Sequence, residues 1–197
     1  MLVEEIEMCI VEDIDIRNRV FKNEEVENID YERIEFSNCK FIDCKLEGNL
    51  QKVVFSECKF ENCDFSNVEF NGSDFVRTSF KNCKLVGSNF IEAQFYLSKL
   101  EECICKYSNF SMSNIKKCNL KENEMSMSNL SEVKLKDTTF DNCNLSQAQI
   151  FRTNLKGIDF SNCNITGIVV GIEDIKGLTV NEFQALELSK LLEIKIK

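Results

Sequence analysis

The sequence of 197 residues contains no histidine and no proline. Without histidine, the chain lacks the commonest catalytic base and the commonest partner of cysteine in zinc sites. It also lacks a glycine-rich phosphate loop, a nucleophile elbow and paired carboxylates beyond those that a regular repeat explains. We therefore expect a protein that is not an enzyme and that binds no cofactor and no metal ion.

Two targeting features are missing as well. No stretch reaches the roughly 18 apolar residues that a membrane-spanning helix requires. The start, MLVEEIEMCIVEDIDI, is acidic, whereas a secretory signal begins with basic residues followed by a long apolar region. We therefore expect a cytoplasmic protein whose eleven cysteines stay reduced.

A period of five residues organises most of the chain. Every fifth position from Leu50 to Val170 is Leu, Phe, Ile, Val, Met or, at Cys105, cysteine. The position two before each of these centres is nearly always small, and Asn or Asp often stands between the two, as in SNF, SDF and TNL. Such a period matches neither an α-helix nor a simple alternating strand.

This unit resembles that of the pentapeptide-repeat family, commonly written A(D/N)LXX, over roughly residues 31–177. The resemblance implies an all-β fold, a right-handed quadrilateral β-helix in which each pentapeptide forms one side and four sides form a coil. One large and one small side chain per side then fill the interior. Residues that are twenty apart lie above one another, at about the 4.8 Å spacing of neighbouring strands.

The cysteines follow this pattern. All except Cys105 lie two before a centre, where they replace Ala or Ser as small buried side chains. A metal site and a disulfide framework are the alternatives, but parallel side chains along an axis suit neither tetrahedral zinc nor disulfide torsions. We predict a structural core column of Cys44, Cys63, Cys83, Cys103, Cys143 and Cys163.

The five-residue repeat is interrupted once and is lost toward both ends of the chain. The step from Leu46 to Leu50 is four residues, so one residue is missing near positions 47–49 and a local distortion is expected. We predict that residues 1–30 form a degenerate first coil or a capping strand, because large charged residues occupy the small inner positions there. Residues 31–177 are the β-helix, and residues 178–197 are a C-terminal helix and a short strand.

The C-terminal segment TVNEFQALELSKLL carries helix signals, with Thr179 or Asn181 as the N-cap. One helix face can close the open end of the β-helix, and the other face is then covered by the tail or by a partner. The segment resembles the ends of quinolone-resistance pentapeptide proteins of the Qnr group, which implies a homodimer joined tail to tail. The predicted dimer interface is Phe183, Leu186, Leu188, Leu191, Leu192 and Ile194.

The net charge of −9 is concentrated at one end. Residues 1–35 hold twelve acids against four bases, and the rest of the chain is close to neutral. The resemblance implies a DNA-mimicking protein that binds DNA gyrase or topoisomerase IV, with partner-binding residues at Glu24, Glu25, Glu27, Asp30, Glu32 and Glu35.

Two other interpretations of these charges remain open. The protein is alternatively a scaffold for an unrelated protein partner, with the acidic end as a solvated surface that prevents coils from joining end to end. Lys116, Lys117, Lys134, Lys136 and Lys156 fall on a single side, but direct nucleic-acid binding is not expected because the overall charge is negative.

Overall fold

The five-residue period becomes one side of a coil, and four sides complete a turn of the chain. Phe55 pairs with Phe75, and Phe75 pairs with Phe95, in parallel register. A computed structural model describes residues 1–193. It confirms the expected fold class: an all-β quadrilateral β-helix of about eight coils with a C-terminal capping helix.

The regular elements are short because the chain turns a corner after every side. The first half contains α1 (Leu2–Glu12), β1 (Ile16–Arg17), β2 (Val20–Lys22), β3 (Glu25–Glu32), β4 (Glu35–Ser37), β5 (Lys40–Ile42), β6 (Lys45–Gln51), β7 (Val54–Ser56), β8 (Lys59–Glu61), β9 (Asp74–Val76) and β10 (Ser79–Lys81). The second half contains β11 (Gln94–Tyr96), β12 (Lys99–Glu101), β13 (Asn114–Lys116), β14 (Asn119–Lys121), β15 (Lys134–Lys136), β16 (Thr139–Asp141), β17 (Gln149–Ile150), β18 (Val169–Val170), α2 (Glu182–Leu188) and a 3₁₀ helix (Ser189–Leu192).

We name the four sides after the centre that each contributes to one coil. The Phe55 side is the seven-stranded sheet β1-β4-β7-β9-β11-β13-β15. The Phe60 side is the seven-stranded sheet β2-β5-β8-β10-β12-β14-β16. The Phe65 and Phe70 sides are held mainly by isolated parallel bridges, and β3 and β6 pair along both of them in the first coils.

Stacked aromatic rings fill the interior of the first coils. On the Phe55 side the Phe55 and Phe75 rings lie parallel, with centroids 5.3 Å apart. On the Phe60 side the Phe60 and Phe80 rings stack at 4.5 Å. Neighbouring sides meet edge to face, as Phe55 and Phe60 do at 5.2 Å. These are the two arrangements that aromatic pairs prefer. Phenylalanine can therefore pack both along the axis of the β-helix and between neighbouring sides of one coil.

The corners require left-handed backbone. The residue two after a centre has positive φ, as at Gly72 with +65° and Gly157 with +80°. Non-glycine residues adopt the same conformation, for example Arg77 at +51° and Tyr107 at +60°. Within residues 1–193, the positive-φ residues include no Val, Ile or Thr, for which this conformation is strained most.

The slip in the repeat is absorbed by a bulge. Val26 pairs with Leu46, but Ile29 pairs with Gly48, so β3 uses one more residue than β6 between the two pairs. Gly48 has φ of +122°, and a Cβ built there would lie 2.2 Å from the carbonyl oxygen of Ile29. The position therefore requires glycine.

Of the two alternatives expected for residues 1–30, residues 16–30 belong to the first coil, and the capping element before them is a helix rather than a strand. Residues 2–12 form the helix α1, whose Leu2, Ile6 and Cys9 are buried against the open end of the coil. Asp13 ends the helix in the left-handed conformation, and the first coil starts at Ile16, well before the predicted boundary at residue 31. Side chains at i, i+4 and i+7 share one helix face, which explains the burial pattern.

The C-terminal helix begins at Asn181. Its side chain accepts a hydrogen bond from the backbone N–H of Gln184, and the Gln184 side chain accepts one from the Asn181 backbone N–H. This capping box fixes the start of α2, in agreement with the predicted N-cap. The buried Gln184 amide also donates to the carbonyls of Phe160 and Cys163, which ties the helix to the last coils.

Candidate protein-binding surfaces

The interior holds the six cysteines predicted as a core column. The structure places Cys44, Cys63, Cys83, Cys103, Cys143 and Cys163 among the buried residues as free thiols. Each replaces a small side chain, and the Cys83 thiol, for example, donates to the carbonyl of Phe60 at 3.5 Å. Within residues 1–193, no group of three or more His, Cys, Asp or Glu side chains is arranged to hold a metal ion.

Asn123 interrupts the column with an amide. Its Oδ1 accepts the N–H of Cys103 at 2.9 Å, and its Nδ2 donates to the carbonyl of Leu100 at 2.8 Å. Ser98 bridges the coils in the same way, since its hydroxyl accepts from the Thr78 N–H and donates to the Phe75 carbonyl. Buried polar residues at the small inner position therefore join one coil to the preceding coil. The polar atoms of Asn123 and Ser98 are used within the chain rather than for a ligand.

Two further interior cysteines, Cys105 and Cys118, are held as thiols by burial. The pKa of Cys105 is raised well above its ordinary value, first by burial and then by neighbouring acidic groups. Burial likewise raises the pKa of Cys118. Since the thiolate is the reactive form, Cys105 and Cys118 are poor nucleophiles and poor metal ligands. The surfaces of the protein are therefore the candidates for function.

The first candidate is the acidic tip, which we define as Glu24, Glu25, Glu27, Asp30, Glu32 and Glu35. Glu25, Glu27, Asp30 and Glu32 are exposed on β3, and Glu24 and Glu35 are half-buried. The strand lies at the free edge of the first coil, paired on one side only, with β6. The structure thus brings the six residues together on one strand and its two flanks.

Several charges of the acidic tip are partly neutralised. Glu24 lies 3.7 Å from the N-terminal ammonium of Met1, and Glu32 lies 3.4 Å from the ammonium of Lys52. Glu25 and Glu27 make no ion pair within 4.0 Å in the described range, residues 1–193. These two exposed carboxylates are therefore the most available charges of the tip for a partner.

The acidity fades along the rod. Beneath Asp30 the outward column continues with Asn49 and Glu69 and then becomes a row of amides. The amides, in register from coil to coil, are Asn89, Asn109, Asn129 and Gln149. In this column negative charge is therefore confined to the first coils, and no continuous acidic stripe runs along this side.

The second candidate is the exposed face of α2. Phe183 is 75% exposed, and Leu186 and Leu192 are also exposed. Leu188 is only 8% exposed, and with the half-buried Leu191 it packs against the core of its own chain. Of the predicted interface residues, the structure thus leaves three free for a partner and uses two within the chain. Ile194 lies outside the described residues.

Apolar residues at the opposite end were not predicted as a surface. Met8, Ile10 and Val11 of α1 are exposed, Val11 by 84%, together with Ile14 in the turn that follows. The five-residue spacing of Ile6, Val11 and Ile16 obscured the helix. The helical spacing of Leu2, Ile6 and Cys9 was the signal that predicts it.

Comparison with known families identifies the repeat. A family model described as a pentapeptide repeat region matches residues 53–130, and one described as pentapeptide repeats (8 copies) matches residues 128–167. The chain belongs to the pentapeptide-repeat family. A search of curated proteins found no match.

A solved pentapeptide-repeat protein shares the fold. A trypsin-treated variant of QnrB1, a plasmid-mediated fluoroquinolone resistance protein, superposes with a TM-score of 0.55 and 19% identity over 93% of this chain and 100% of that chain. HetL, involved in heterocyst differentiation regulation in the cyanobacterium Nostoc, is 12% identical with a TM-score of 0.48, over 90% of this chain and 96% of that chain. None of the helices within residues 1–193 is long and apolar enough to cross a lipid bilayer.

Proposed function

We propose that this pentapeptide-repeat protein is a non-catalytic, cytoplasmic binding protein that modulates DNA gyrase or topoisomerase IV. The acidic tip would occupy the part of the enzyme that binds DNA. The observation that carries the proposal is the row of exposed carboxylates on β3, at a strand edge that no other strand within residues 1–193 covers. A protein surface that binds DNA attracts negative charge at the positions where it binds phosphates.

The distribution of charge determines the mode of contact. Because the side beneath the tip becomes a row of amides, the flank of the rod lacks the charges that would imitate a DNA backbone. The contact is therefore made by the end of the rod. The fold shared with QnrB1, whose structure is that of a fluoroquinolone resistance protein, supports this class of partner.

We further propose that two copies join through α2. An apolar groove of about 250 Å³ lies beside the helix, lined by Ile175, Leu178, Val180, Ala185, Leu188, Ser189 and Leu192. Phe183 projects from the same helix into solvent. In a twofold dimer the same surface serves both copies, so each Phe183 can enter the groove of the other copy. Such a dimer carries one acidic tip at each end.

The function is tested in a supercoiling reaction of purified gyrase, with and without a fluoroquinolone. We expect the protein to alter supercoiling or drug-stabilised cleavage at micromolar concentration. Glu25→Lys with Glu27→Lys should abolish the effect because it reverses two exposed, unpaired charges of the tip. Glu92→Lys with Glu102→Lys, at exposed corners further along the rod, changes the net charge equally and should retain the effect.

Two results would decide against the proposal. If the protein changes neither supercoiling nor cleavage, the protein is a scaffold for another partner. If both double variants lose the effect equally, net charge alone is responsible and the tip is not the binding site.

A further inference from the structure

A row of lysines stacks along the Phe55 side of the C-terminal coils. Tyr96 pairs with Lys116, and Lys116 pairs with Lys136, in parallel register. Lys156 and Lys176 continue the same spacing of twenty residues in the next two coils. Consecutive rungs of a β-helix are about 4.8 Å apart. Lys116 and Lys136 thus lie on neighbouring strands, and Lys156 and Lys176 follow beyond β15, the last strand of this sheet; we call Lys116, Lys136, Lys156 and Lys176 the lysine row.

The β-helix fold does not require like charges at this position of successive coils. On the Phe60 side, the equivalent position alternates in sign from coil to coil: Glu61, Lys81, Glu101, Lys121 and Asp141 are in register. Opposite charges that face each other across strands stabilise a sheet, and like charges destabilise it. The same molecule thus follows the favourable pattern on one side and departs from it on the neighbouring side. A repulsive row is favoured when an anion from outside the chain neutralises it.

The chain supplies few counter-charges to the row. Lys176 pairs with Glu173 at 2.5 Å. The ammonium of Lys116 lies 5.7 Å from the centre of the Tyr96 ring, a cation–π contact that leaves the positive charge in place. Lys136 and Lys156 are exposed and have no carboxylate within 4.0 Å in residues 1–193. The same holds for Lys134, which lies two residues before Lys136 on β15.

A groove of about 470 Å³ accompanies the row. Lys134, Arg152, Asn154 and Lys156 line it together with Glu132, and Val133 and Leu135 also line it. Leu135 is half-buried, although most strand centres of this side are fully buried. The surface thus combines unpaired ammonium groups with an apolar residue that a partner can cover.

The length of the row limits the kind of anion. Toward the N-terminus the same column is uncharged at Tyr96 and Val76, and toward the C-terminus Glu173 and Asp174 bound it. At the usual spacing of about 4.8 Å per coil, the three steps from Lys116 to Lys176 correspond to about 15 Å, the length of four or five residues of extended polypeptide. A nucleic acid strand would continue beyond both ends, toward the acidic tip on one side and the acidic turn on the other. A short acidic peptide fits between them.

We propose that the lysine row and its groove bind an extended, acidic polypeptide segment of a partner protein. The carboxylates pair with Lys134, Lys136 and Lys156, and an apolar residue among them covers Leu135. This surface lies in other coils than the acidic tip, so the proposal stands without any role in topoisomerase binding.

The test is fluorescence anisotropy with the full-length protein. The probe is a fluorescein-labelled peptide of glutamates with a central leucine, and a labelled oligothymidylate of similar charge is the comparison. We expect the peptide to bind more tightly than the oligothymidylate, with an affinity that falls as salt rises from about 0.05 to 0.3 M because screening weakens charge pairs. The triple variant Lys134→Gln, Lys136→Gln and Lys156→Gln should lower the peptide affinity at least about tenfold.

The matched control neutralises three lysines on the Phe60 side: Lys81→Gln, Lys99→Gln and Lys121→Gln. It changes net charge equally and should alter the affinity less than about twofold. Circular dichroism and thermal unfolding verify that both triple variants fold. Equal losses in the two variants, tighter binding of the oligothymidylate, or no peptide binding by the folded wild-type protein would each overturn the proposal.

Discussion

Gly48 lies against the backbone of Ile29 so closely that no other residue fits, since a Cβ would approach the Ile29 carbonyl oxygen to 2.2 Å. This contact is where the repeat loses one residue and β3 bulges. We predict that Gly48→Ala destabilises the protein by about 3 kcal/mol, because it adds a backbone clash to a strained φ.

The control for Gly48 is Gly157→Ala. Gly157 also has positive φ, but no atom lies within 4 Å of the position that a Cβ would take there. Its substitution should cost about 1 kcal/mol, the conformational strain alone. Urea denaturation of both variants measures the difference, and equal losses would show that the close approach to Ile29 has no energetic role.

The thiol of Cys83 points into the packed interior, where 1% of the residue is exposed. We expect Cys83→Ala to fold with a small loss of stability, because alanine also fits the small inner position. Cys83→Glu should not fold, since a buried carboxylate without a partner is far too costly. Circular dichroism distinguishes the two variants. A folded Glu variant of normal stability would mean that this column does not face the interior.

Burial of the thiols predicts alkaline destabilisation. The pKa values of Cys105 and Cys118 are raised in the folded protein, chiefly by burial, so the folded state holds its protons where the unfolded state has lost them. The stabilisation is complete below the unfolded pKa of about 8.5 and is lost as pH rises from there toward the folded-state pKa. The free energy of unfolding should therefore fall by up to about 1.4 kcal/mol per pH unit for each such thiol.

The measurement is urea denaturation between about pH 7 and pH 10. Cys118→Ala removes one of the titrating groups and should reduce the slope of stability against pH. A slope that stays unchanged in this variant would show that Cys118 does not contribute. In the native protein at neutral pH, bulky thiol reagents should modify none of the cysteines at a significant rate, because all eleven are buried and access is blocked.

Asn123 should be important to the joining of two coils. Asn123→Ala removes the acceptor for the Cys103 N–H and the donor to the Leu100 carbonyl. Because both groups are buried, we expect a loss of about 2 to 3 kcal/mol. Asn123→Cys should be less harmful, since a thiol at the equivalent position in the next coil, Cys143, donates to the carbonyl of Leu120. A smaller loss for Ala than for Cys in thermal unfolding would contradict this prediction.

The two faces of α2 should respond differently to substitution. Phe183→Asp changes an exposed side chain, so the chain should keep its fold and its unfolding temperature at low protein concentration while the dimer dissociates. Leu188→Asp introduces a charge into a buried contact and should weaken the cap itself. Light scattering combined with thermal unfolding separates these effects. A Phe183→Asp protein with the mass of the wild type, when the wild type is dimeric, would place the interface elsewhere.

The sequence predicts the coils well because each inward position obeys one local rule. Phe55, Phe75 and Phe95 repeat at the spacing that the structure then places in register. The helix α1 was missed because Ile6 belongs to two periods at once, the five-residue period and the helical spacing of Leu2, Ile6 and Cys9. The sequence alone does not distinguish the two periods. The helix forms because the first coil has an open apolar end that Leu2, Ile6 and Cys9 cover.

The surfaces were less predictable than the interior. The helical pattern shows that Phe183 and Leu188 lie on different faces of α2, but the direction in which the chain leaves the last coil determines which face is buried. The acidic tip was visible in the sequence because β3 concentrates its charges in one segment. The lysine row was visible only in part, since its importance follows from the contrast with the alternating charges on the next side.

The bulge in β3 also shows where this rod tolerates a change of length. A strand at the end of the stack has a neighbour on one side only, so the misfit at Ile29 and Gly48 has to be accommodated once. A single-residue deletion in a middle coil would meet neighbours above and below, and both would need to adjust. Insertion of whole coils of twenty residues is therefore the simplest way to lengthen such a molecule, because each insertion adds one strand or bridge to every side and keeps the same residue types on that side.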